Sequence, residues 1–303
     1  MVAPFDGPRV TDELLHRLEA EEIRFTAGWL EGAMARPGNP RGLRIERFDD
    51  VVAPLASNAP DLDFMNRVAG LSPRNLDLLP RVLSLYRDAG IRPWFEVVPS
   101  SGEADPVGAA LVAAGAVPLW HSTLLYAPVR VTAAIPPDDR SNRHRVEIRR
   151  VEAGEIQLFA EVLLRGWGVP EDELAEAVGD HAHWHAVPGW RLYVATVDGE
   201  PAGAAALQVH GGVGYLASAS TLPTHRNRGC QSALIRRRVL DAVAEGVDLV
   251  SGMAILGSTS QQNMERAGLR PACTVTTWQL GPRDVRGSAP AGNPRTGRPD
   301  QPV

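Results

Sequence analysis

Lysine is missing from this chain: all 31 basic residues among its 303 are arginine. That removes every chemistry built on an ε-amine. Schiff-base catalysis, as in pyridoxal-phosphate enzymes and lysine aldolases, is excluded. So are the GxxxxGK[ST] phosphate loop and the ATP-pairing lysine of kinases. Cysteine is scarce, and Cys230 and Cys273 alone can build neither a disulfide framework nor a four-cysteine zinc site. There is no excess of positive charge, since 36 acidic residues against 31 arginines leave a net −5. The field that non-specific nucleic-acid binding relies on is therefore absent, and no nucleic-acid partner is expected. No apolar run approaches the roughly 18–20 residues of a membrane span, so no membrane partner is expected either. The opening MVAPFDGPRVTDELL has no basic segment followed by an apolar one, so it does not read as a secretory signal, and a cytoplasmic protein is expected. What remains is ordinary: 44% hydrophobic residues supply a core, and the length suits two domains.

The chain divides at Pro128–Arg145, PVRVTAAIPPDDRSNRHR, where paired prolines and a polar cluster predict a linker over 131–144 between domains 1–130 and 145–281. From Gly281 onward the sequence has nothing to bury, which predicts a disordered tail over 282–303. Before the linker the patterns predict a helix over 11–34, with Thr11, Asp12 and Glu13 as its N-terminal signal and Gly28 as a potential break. Strands near 43–48 and 64–70 follow, then a helix over 75–89 closed by Gly90, a strand 94–98, a helix 106–114 and a strand 119–126. After the linker come a strand 145–151, helices near 155–165 and 171–178, and strands 191–197 and 202–209 joined at Asp198-Gly199. A strand 213–220, a helix 231–244, a strand 248–253, a helix 260–266 and a strand 273–280 complete the series. In the 231–244 helix Arg236, Arg237 and Arg238 are placed partly outside. Helix–Gly90–strand–helix–Gly115–strand matches helix–Gly246–strand–helix–Gly268–strand, the order expected of a duplication.

The stretch richest in chemistry is Thr221–Leu234, TLPTHRNRGCQSAL. A strand ends in a turn, Arg226-Asn227-Arg228-Gly229-Cys230-Gln231, which opens directly into an amphipathic helix. Such a turn aims successive backbone N–H groups into one concavity at a helix N-terminus, where the dipole and the unpaired donors favour phosphate. Gly229 permits close backbone approach, and Arg226 and Arg228 add charge.

In this turn and its setting the chain resembles the Gcn5-related N-acetyltransferase (GNAT) family, whose (Arg/Gln)-x-x-Gly-x-(Gly/Ala) turn binds the coenzyme A pyrophosphate. Arg226-x-x-Gly229 fits, and Gln231 stands where Gly or Ala is usual. The surrounding order of elements fits too, over about Arg145–Leu280. The resemblance implies an α/β fold: a tandem acyl-CoA N-acyltransferase (GNAT) fold with a mixed, mostly antiparallel sheet flanked by helices. It implies acetyl-CoA as cosubstrate, no metal, and direct transfer of an acetyl group to an amine of a small molecule. Arg226, Asn227, Arg228, Gly229, Cys230, Gln231 and Ser232 would hold the pyrophosphate. Ala219, Ser220 and Thr221 would offer backbone bonds to the pantetheine arm, and Asn263 would complete the cofactor set. In the first half, Leu71-Ser72-Pro73-Arg74-Asn75 lies opposite the turn without its glycine, so that copy is expected not to bind coenzyme A.

The family's tyrosine position is Met264 here, and Gly257 stands about where an asparagine often begins the helix. A hydroxyl such as Ser260 in Ser258-Thr259-Ser260, a water, or proximity alone is left to assist the thiolate. For the proton of the acceptor amine the candidate is His185, in HAHWHAVPGW. His181, His183 and His185 also invite a metal reading, but no nearby cysteine or patterned carboxylate completes a site. Glu171-Asp172-Glu173 reads as first-turn charge or as an attraction for a cationic amine. Trp184 and Trp190 read as pocket wall or core, and Cys230 as packing. A non-catalytic acyl-CoA sensor, an enzyme of another acyl-CoA (including decarboxylation), and assembly as a homodimer stay open at this point.

Overall fold

The computed structural model describes residues 7–99, 105–135 and 143–281. The expected tail over 282–303 and the middle of the expected linker, 136–142, lie outside the described residues.

The first helix, α1 (Asp12–Met34), begins as its sequence dictates: the Thr11 hydroxyl accepts the N–H of Leu14 at 3.2 Å, with Asp12 and Glu13 in the first turn. Gly28 does not break it. Instead Gly28 lets the helix lie against Trp190 and Val187, each of which a Cβ there would meet at 3.4 Å. Strands β1 (Leu43–Phe48) and β2 (Val51–Ala56) form an antiparallel pair, and β3 (Arg67–Val68) and β4 (Trp94–Val97) pair in parallel. Helices α2 (Leu79–Asp88) and α3 (Pro106–Ala113) precede and follow β4, and β5 (Ala116–Pro128) and the short α4 (Val129–Ala133) end the first repeat. The second repeat contains β6 (Val146–Arg150), α5 (Ile156–Gly166), α6 (Glu171–Asp180), β7 (Trp190–Val197), β8 (Glu200–His210), β9 (Val213–Tyr215) and β10 (Ala219–Thr221). It ends with α7 (Cys230–Ala244), β11 (Leu249–Ile255), α8 (Thr259–Arg266) and β12 (Arg270–Leu280).

Ten strands make one sheet, in the order β3-β4-β12-β5-β11-β9-β8-β7-β6 with β10 attached to β8. Only β3/β4 and β9/β11 pair in parallel among the described strands; the other pairs are antiparallel. The order shows a reciprocal exchange. Strand β12, the last of the second repeat, lies between β4 and β5 of the first, while β5, the last of the first repeat, lies between β11 and β12 of the second. The two exchanged strands pair with each other from Arg270↔Tyr126 to Leu280↔Ala116. Both are reached through a glycine in the left-handed region, Gly115 (φ 86) and Gly268 (φ 90), so the duplication read from the glycines has its structural counterpart here.

The exchange leaves neither repeat complete alone, and α1 deepens the dependence. Its Phe25, Trp29 and Leu30 pack with Phe159, Leu163, Trp184 and Trp190 of the second repeat. Its Leu14 and Leu18 lie on the central strands with Leu124, Tyr126, Val213 and Val275. Polar clamps reinforce this seam. Asp180, 97% buried on α6, pairs with Arg36, and with Arg41 at 2.8 Å. Arg17 pairs with Asp248 at 2.6 Å, and the buried Glu21 accepts from Gln208 at 3.0 Å and meets His210 Nδ1 at 2.7 Å. The opposite face of the sheet is covered by α7 and α8 through Leu234, Ile235, Val239 and Met264.

Four expectations change. Strand β2 is not foreseen, because VVAPLA is buried throughout and shows no alternation. The stretch 64–70 holds a 3₁₀ turn, Asp63–Met65, and only a two-residue strand. The helix expected from 75 opens with a 3₁₀ turn, Leu76–Leu78, and α2 itself starts at Leu79. Arg238 is fully buried rather than partly outside.

Candidate active site

The strand expected over 213–220 is broken, and the break makes the site. β9 pairs with β11 from Val213↔Leu249 to Tyr215↔Ser251, and Leu216 N–H makes one more bond, to Ser251 O at 2.7 Å. Ser218 then takes a positive φ of 31°, and Ala206 N–H is shared between Ala217 O and Ser218 O. Beyond this bulge β10 pairs with β8 alone, while β11 continues along β5. A gap therefore opens between β10 and the far half of β11. Arg238 reaches up from α7 to hold the bulge: its Nη1 donates to Ala206 O at 3.0 Å and to Ala217 O at 3.1 Å. Burial lowers its pKa to about 10, still far above neutrality, so it stays charged.

Leu222 N–H bonds to Ala202 O and Ala206 N–H to Ser218 O. Alternation along the ladder then turns Ser220 toward β8 and the backbone groups of Ala219 and Thr221 toward the gap. Ala219 O already accepts from the indole N–H of Trp167 at 3.1 Å, which leaves Thr221 as the strand position free for an extended ligand. The buried Thr221 hydroxyl has no partner among the described residues.

From β10 the chain makes a 3₁₀ turn, Pro223–His225, and enters the Arg226–Gln231 turn. Asn227 (φ 63) and Gly229 (φ 87) are both left-handed, and Gly229 caps α7 with no side chain to satisfy the helix donors. Among the described residues the N–H groups of Asn227, Arg228 and Gly229 have no backbone acceptor. Neither Arg226 nor Arg228 has an ion-pair partner among them. Both the Gln231 amide atoms are buried and unbonded. The equivalent turn of the first repeat is closed on itself: Asn75 Oδ1 takes Ser72 N–H at 2.8 Å, Ser72 Oγ takes Arg74 N–H at 3.3 Å and Ser72 O takes Asn75 N–H at 3.2 Å. One turn is poised for an anion, and the other is spent on its own backbone.

Cys230 is buried in this turn, and burial raises its thiol to about 11, so it is a neutral packing group. Met264, at the family's tyrosine position, lies against β11 beside the gap: its Cε would lie 3.1 Å from a Cβ at Gly252. Ser260 and Asn263 are half-buried on α8, on the α7 face of the sheet. His185 is exposed in the turn Trp184–Ala186, on the other face, so Ser260 and His185 are not brought together. That turn packs beside Gly28–Gly32 of α1, roughly 9–15 Å along the helix from Glu22. His181 is buried, with Nδ1 2.8 Å from Ala177 O and its ring against Trp184, and burial lowers it to about 4. Trp184 and Trp190 are core. Glu171–Glu173 open α6, where Glu171 pairs with Arg165 at 2.6 Å. Among the described residues no three His, Cys, Asp or Glu side chains converge as a metal site would require.

The sequence reading missed a second cluster. On the sheet face covered by α1, Glu22 meets Glu96 of β4. Burial and the Glu96 charge hold the Glu22 carboxyl well above the ordinary range, and it hydrogen-bonds to Glu96. Thr26 Oγ1 donates to Glu22 at 2.9 Å, and Arg67 bonds to Glu96 at 3.0 Å and to Asp63 at 2.8 Å. Burial works against the Arg67 charge, but Asp63, Glu96 and Glu22 more than offset it. Glu19, one turn earlier, is raised to about 8 by burial and by Glu96. The only sequence signal was a buried-face spacing of glutamates on α1 and a glutamate inside the apolar WFEV strand.

No family model and no curated protein matches the chain. Solved structures do. A functionally unknown conserved protein from Staphylococcus epidermidis superposes with a TM-score of 0.58 at 11% identity, over 79% of this chain and 94% of that one. A GCN5-related N-acetyltransferase from Kribbella flavida gives 0.57 at 18%, over 87% and 96%. A tandem GNAT protein from the clavulanic acid biosynthesis pathway gives 0.57 at 15%, over 88% and 98%.

Proposed function

On the tandem GNAT fold that this chain has, we propose an acyl-CoA-dependent N-acyltransferase that moves an acetyl group from acetyl-CoA to an amine of a small molecule. The observation that carries the reading is the contrast between the two turns. Of the two turns, only 226–231 presents N–H groups and two arginines unpaired among the described residues and a left-handed glycine at the start of a fifteen-residue helix, directly after a splayed strand. A pyrophosphate suits that turn, and an extended amide arm suits the gap beside Thr221.

Transfer is direct in this reading, because the thiol at Cys230 is protonated and buried and cannot carry the acyl group. The protein's part is to hold thioester and amine in line, which alone is worth several kcal/mol (up to about 7–11). Met264 can donate no proton, so the departing thiolate takes its proton from the attacking amine, from water or from the half-buried Ser260 hydroxyl. That same methionine keeps a second reading alive, a non-catalytic acyl-CoA sensor. Thiol release from acetyl-CoA with a panel of amines tests the proposal. Release above the hydrolytic background supports transfer, and tight binding without release favours the sensor.

A further inference from the structure

Arg238 lies on α7 with its side chain fully buried, and no carboxylate pairs with it among the described residues. Carbonyls stand in that place. Its Nε donates to Leu234 O at 3.1 Å, and its Nη1 donates to Ala206 O at 3.0 Å and to Ala217 O at 3.1 Å. Its Nη2 has no partner among the described residues. A buried cation without a counter-charge is costly, and a negative charge that forms nearby offsets that cost.

The same bonds decide which way the bulge peptides point. The ladder between β8 and β10 runs through Leu222 N–H to Ala202 O and Ala206 N–H to Ser218 O, so a regular antiparallel pair would have Ser218 N–H return a bond to Ala206 O. Arg238 occupies that oxygen instead, and Ser218 N–H has no acceptor among the described residues. No peptide bond is cis, so each N–H points opposite to the C=O of its own peptide group. Ala217 O points toward β8, where it accepts from Ala206 N–H at 3.1 Å. The Ser218 N–H of that peptide therefore points away from β8, into the gap. Ser218 O accepts from Ala206 N–H at 3.0 Å as well, so the next N–H, that of Ala219, points into the gap too. Ser218 and Ala219 are only half-buried there.

Two consecutive donors thus face one opening, and the guanidinium bonds to the carbonyl of the first peptide. A charge-assisted bond to a carbonyl polarises the peptide group and makes its N–H a stronger donor. An extended arm that enters from the 226–231 turn passes Thr221 first and reaches Ser218 last. For an acyl-CoA with its pyrophosphate at the turn, the group at that far end is the thioester, whose carbonyl oxygen is an acceptor. We infer that Arg238 is a positioning residue of the transfer site: it frees and polarises the Ser218 N–H, which donates to the thioester carbonyl oxygen of a bound acyl-CoA. This rests on the acyl-CoA reading of the turn. When an amine attacks the carbonyl carbon, the C=O pair moves onto that oxygen. The pair returns as the carbon–sulfur bond breaks, the thiolate leaves and the amine gives up its proton. Preorganised donors act most strongly on the charge that exists in between.

The test is isotope-edited infrared spectroscopy of the full chain with acetyl-CoA carrying carbon-13 at the acetyl carbonyl, beside calorimetric titration with the same ligand. In the wild type the bound carbonyl stretch should lie below its frequency in water. In Arg238→Met it should move back at least halfway, with acetyl-CoA affinity kept within about threefold, since a polarised donor acts on the carbonyl more than on binding. Arg238→Lys keeps the charge with fewer donors, and its stretch should fall between the two. A wild-type stretch no lower than in water, or a folded Arg238→Met that binds with the wild-type stretch, would overturn the assignment. So would loss of acetyl-CoA binding in both folded variants, which would make Arg238 a prop for the strand alone. If Arg238→Met does not fold, the wild-type stretch and Arg238→Lys still decide it. No acetyl-CoA binding by the wild type would remove the acyl-CoA reading and this inference with it, whereas binding with an unshifted carbonyl would remove this inference alone.

Discussion

Asp180→Asn removes one charge from the seam between the repeats; it leaves the Arg36 cation without its carboxylate, while Arg41 keeps Glu176 at 3.1 Å. Asp180 is 97% buried, and the side chains of its partners Arg36 and Arg41 are only 20% and 14% exposed. Gly179, next to it, lets the Arg36 guanidinium lie in the space a Cβ would need. Breaking a buried pair from one side costs about 3–5 kcal/mol, because the remaining charge stays desolvated. In a protein of this size each kcal/mol shifts Tm by about 2–4 °C, so a fall of roughly 6–20 °C is expected. Glu31→Gln serves as the control. Its pair with Arg47 at 2.8 Å is about half exposed on both sides, and such pairs contribute about 1 kcal/mol or less. Thermal unfolding followed by circular dichroism reads both. If Asp180→Asn melts with Glu31→Gln, the polar seam does not hold the repeats together.

Residues 1–130 expressed alone should show no cooperative melting, since β12 is missing from between β4 and β5 and the Phe25–Trp29–Leu30 face is bare. Cys230→Ala should keep the rate of thiol release within about twofold, because a thiol raised to about 11 is almost wholly protonated at neutral pH; a large loss would revive a covalent role. His181 takes up its proton near pH 4 when folded and near 6.5 when unfolded. Its contribution is therefore present above about pH 6.5 and is lost as the pH falls toward 4, by about 3 kcal/mol. The wild-type-minus-His181→Gln difference in stability should shrink over that window, and a flat difference would contradict it.

Local features were legible in the sequence, and non-local ones were not. The Arg226–Gly229 turn, the Thr11 cap and the Asp198-Gly199 hairpin are each written within a few residues, and each is where the sequence places it. The strand exchange is invisible because β5 and β12 follow the same helix–glycine pattern, and each could as well pair within its own repeat. Partner choice is a property of the whole sheet. Arg238 reads as a solvated charge on a helix surface, but its partners are carbonyls freed by a bulge on β8 and β9, more than twenty residues away. Glu22 and Glu96 carry only a weak local signal, a glutamate on the buried-face spacing of α1 and one inside an apolar strand, and their pairing is set by elements more than seventy residues apart.

One acyl-CoA should bind per chain, at the Gly229 turn. Calorimetric titration of the full chain and of Gly229→Val with acetyl-CoA tests it most directly. At φ 87 a valine is strained by about 1–3 kcal/mol, which the fold can absorb, but the turn cannot keep its shape or the closeness of its backbone. The wild type should show one site per chain, and a Gly229→Val protein that still melts cooperatively should have lost binding. Two sites per chain, or unchanged affinity in Gly229→Val, would contradict it.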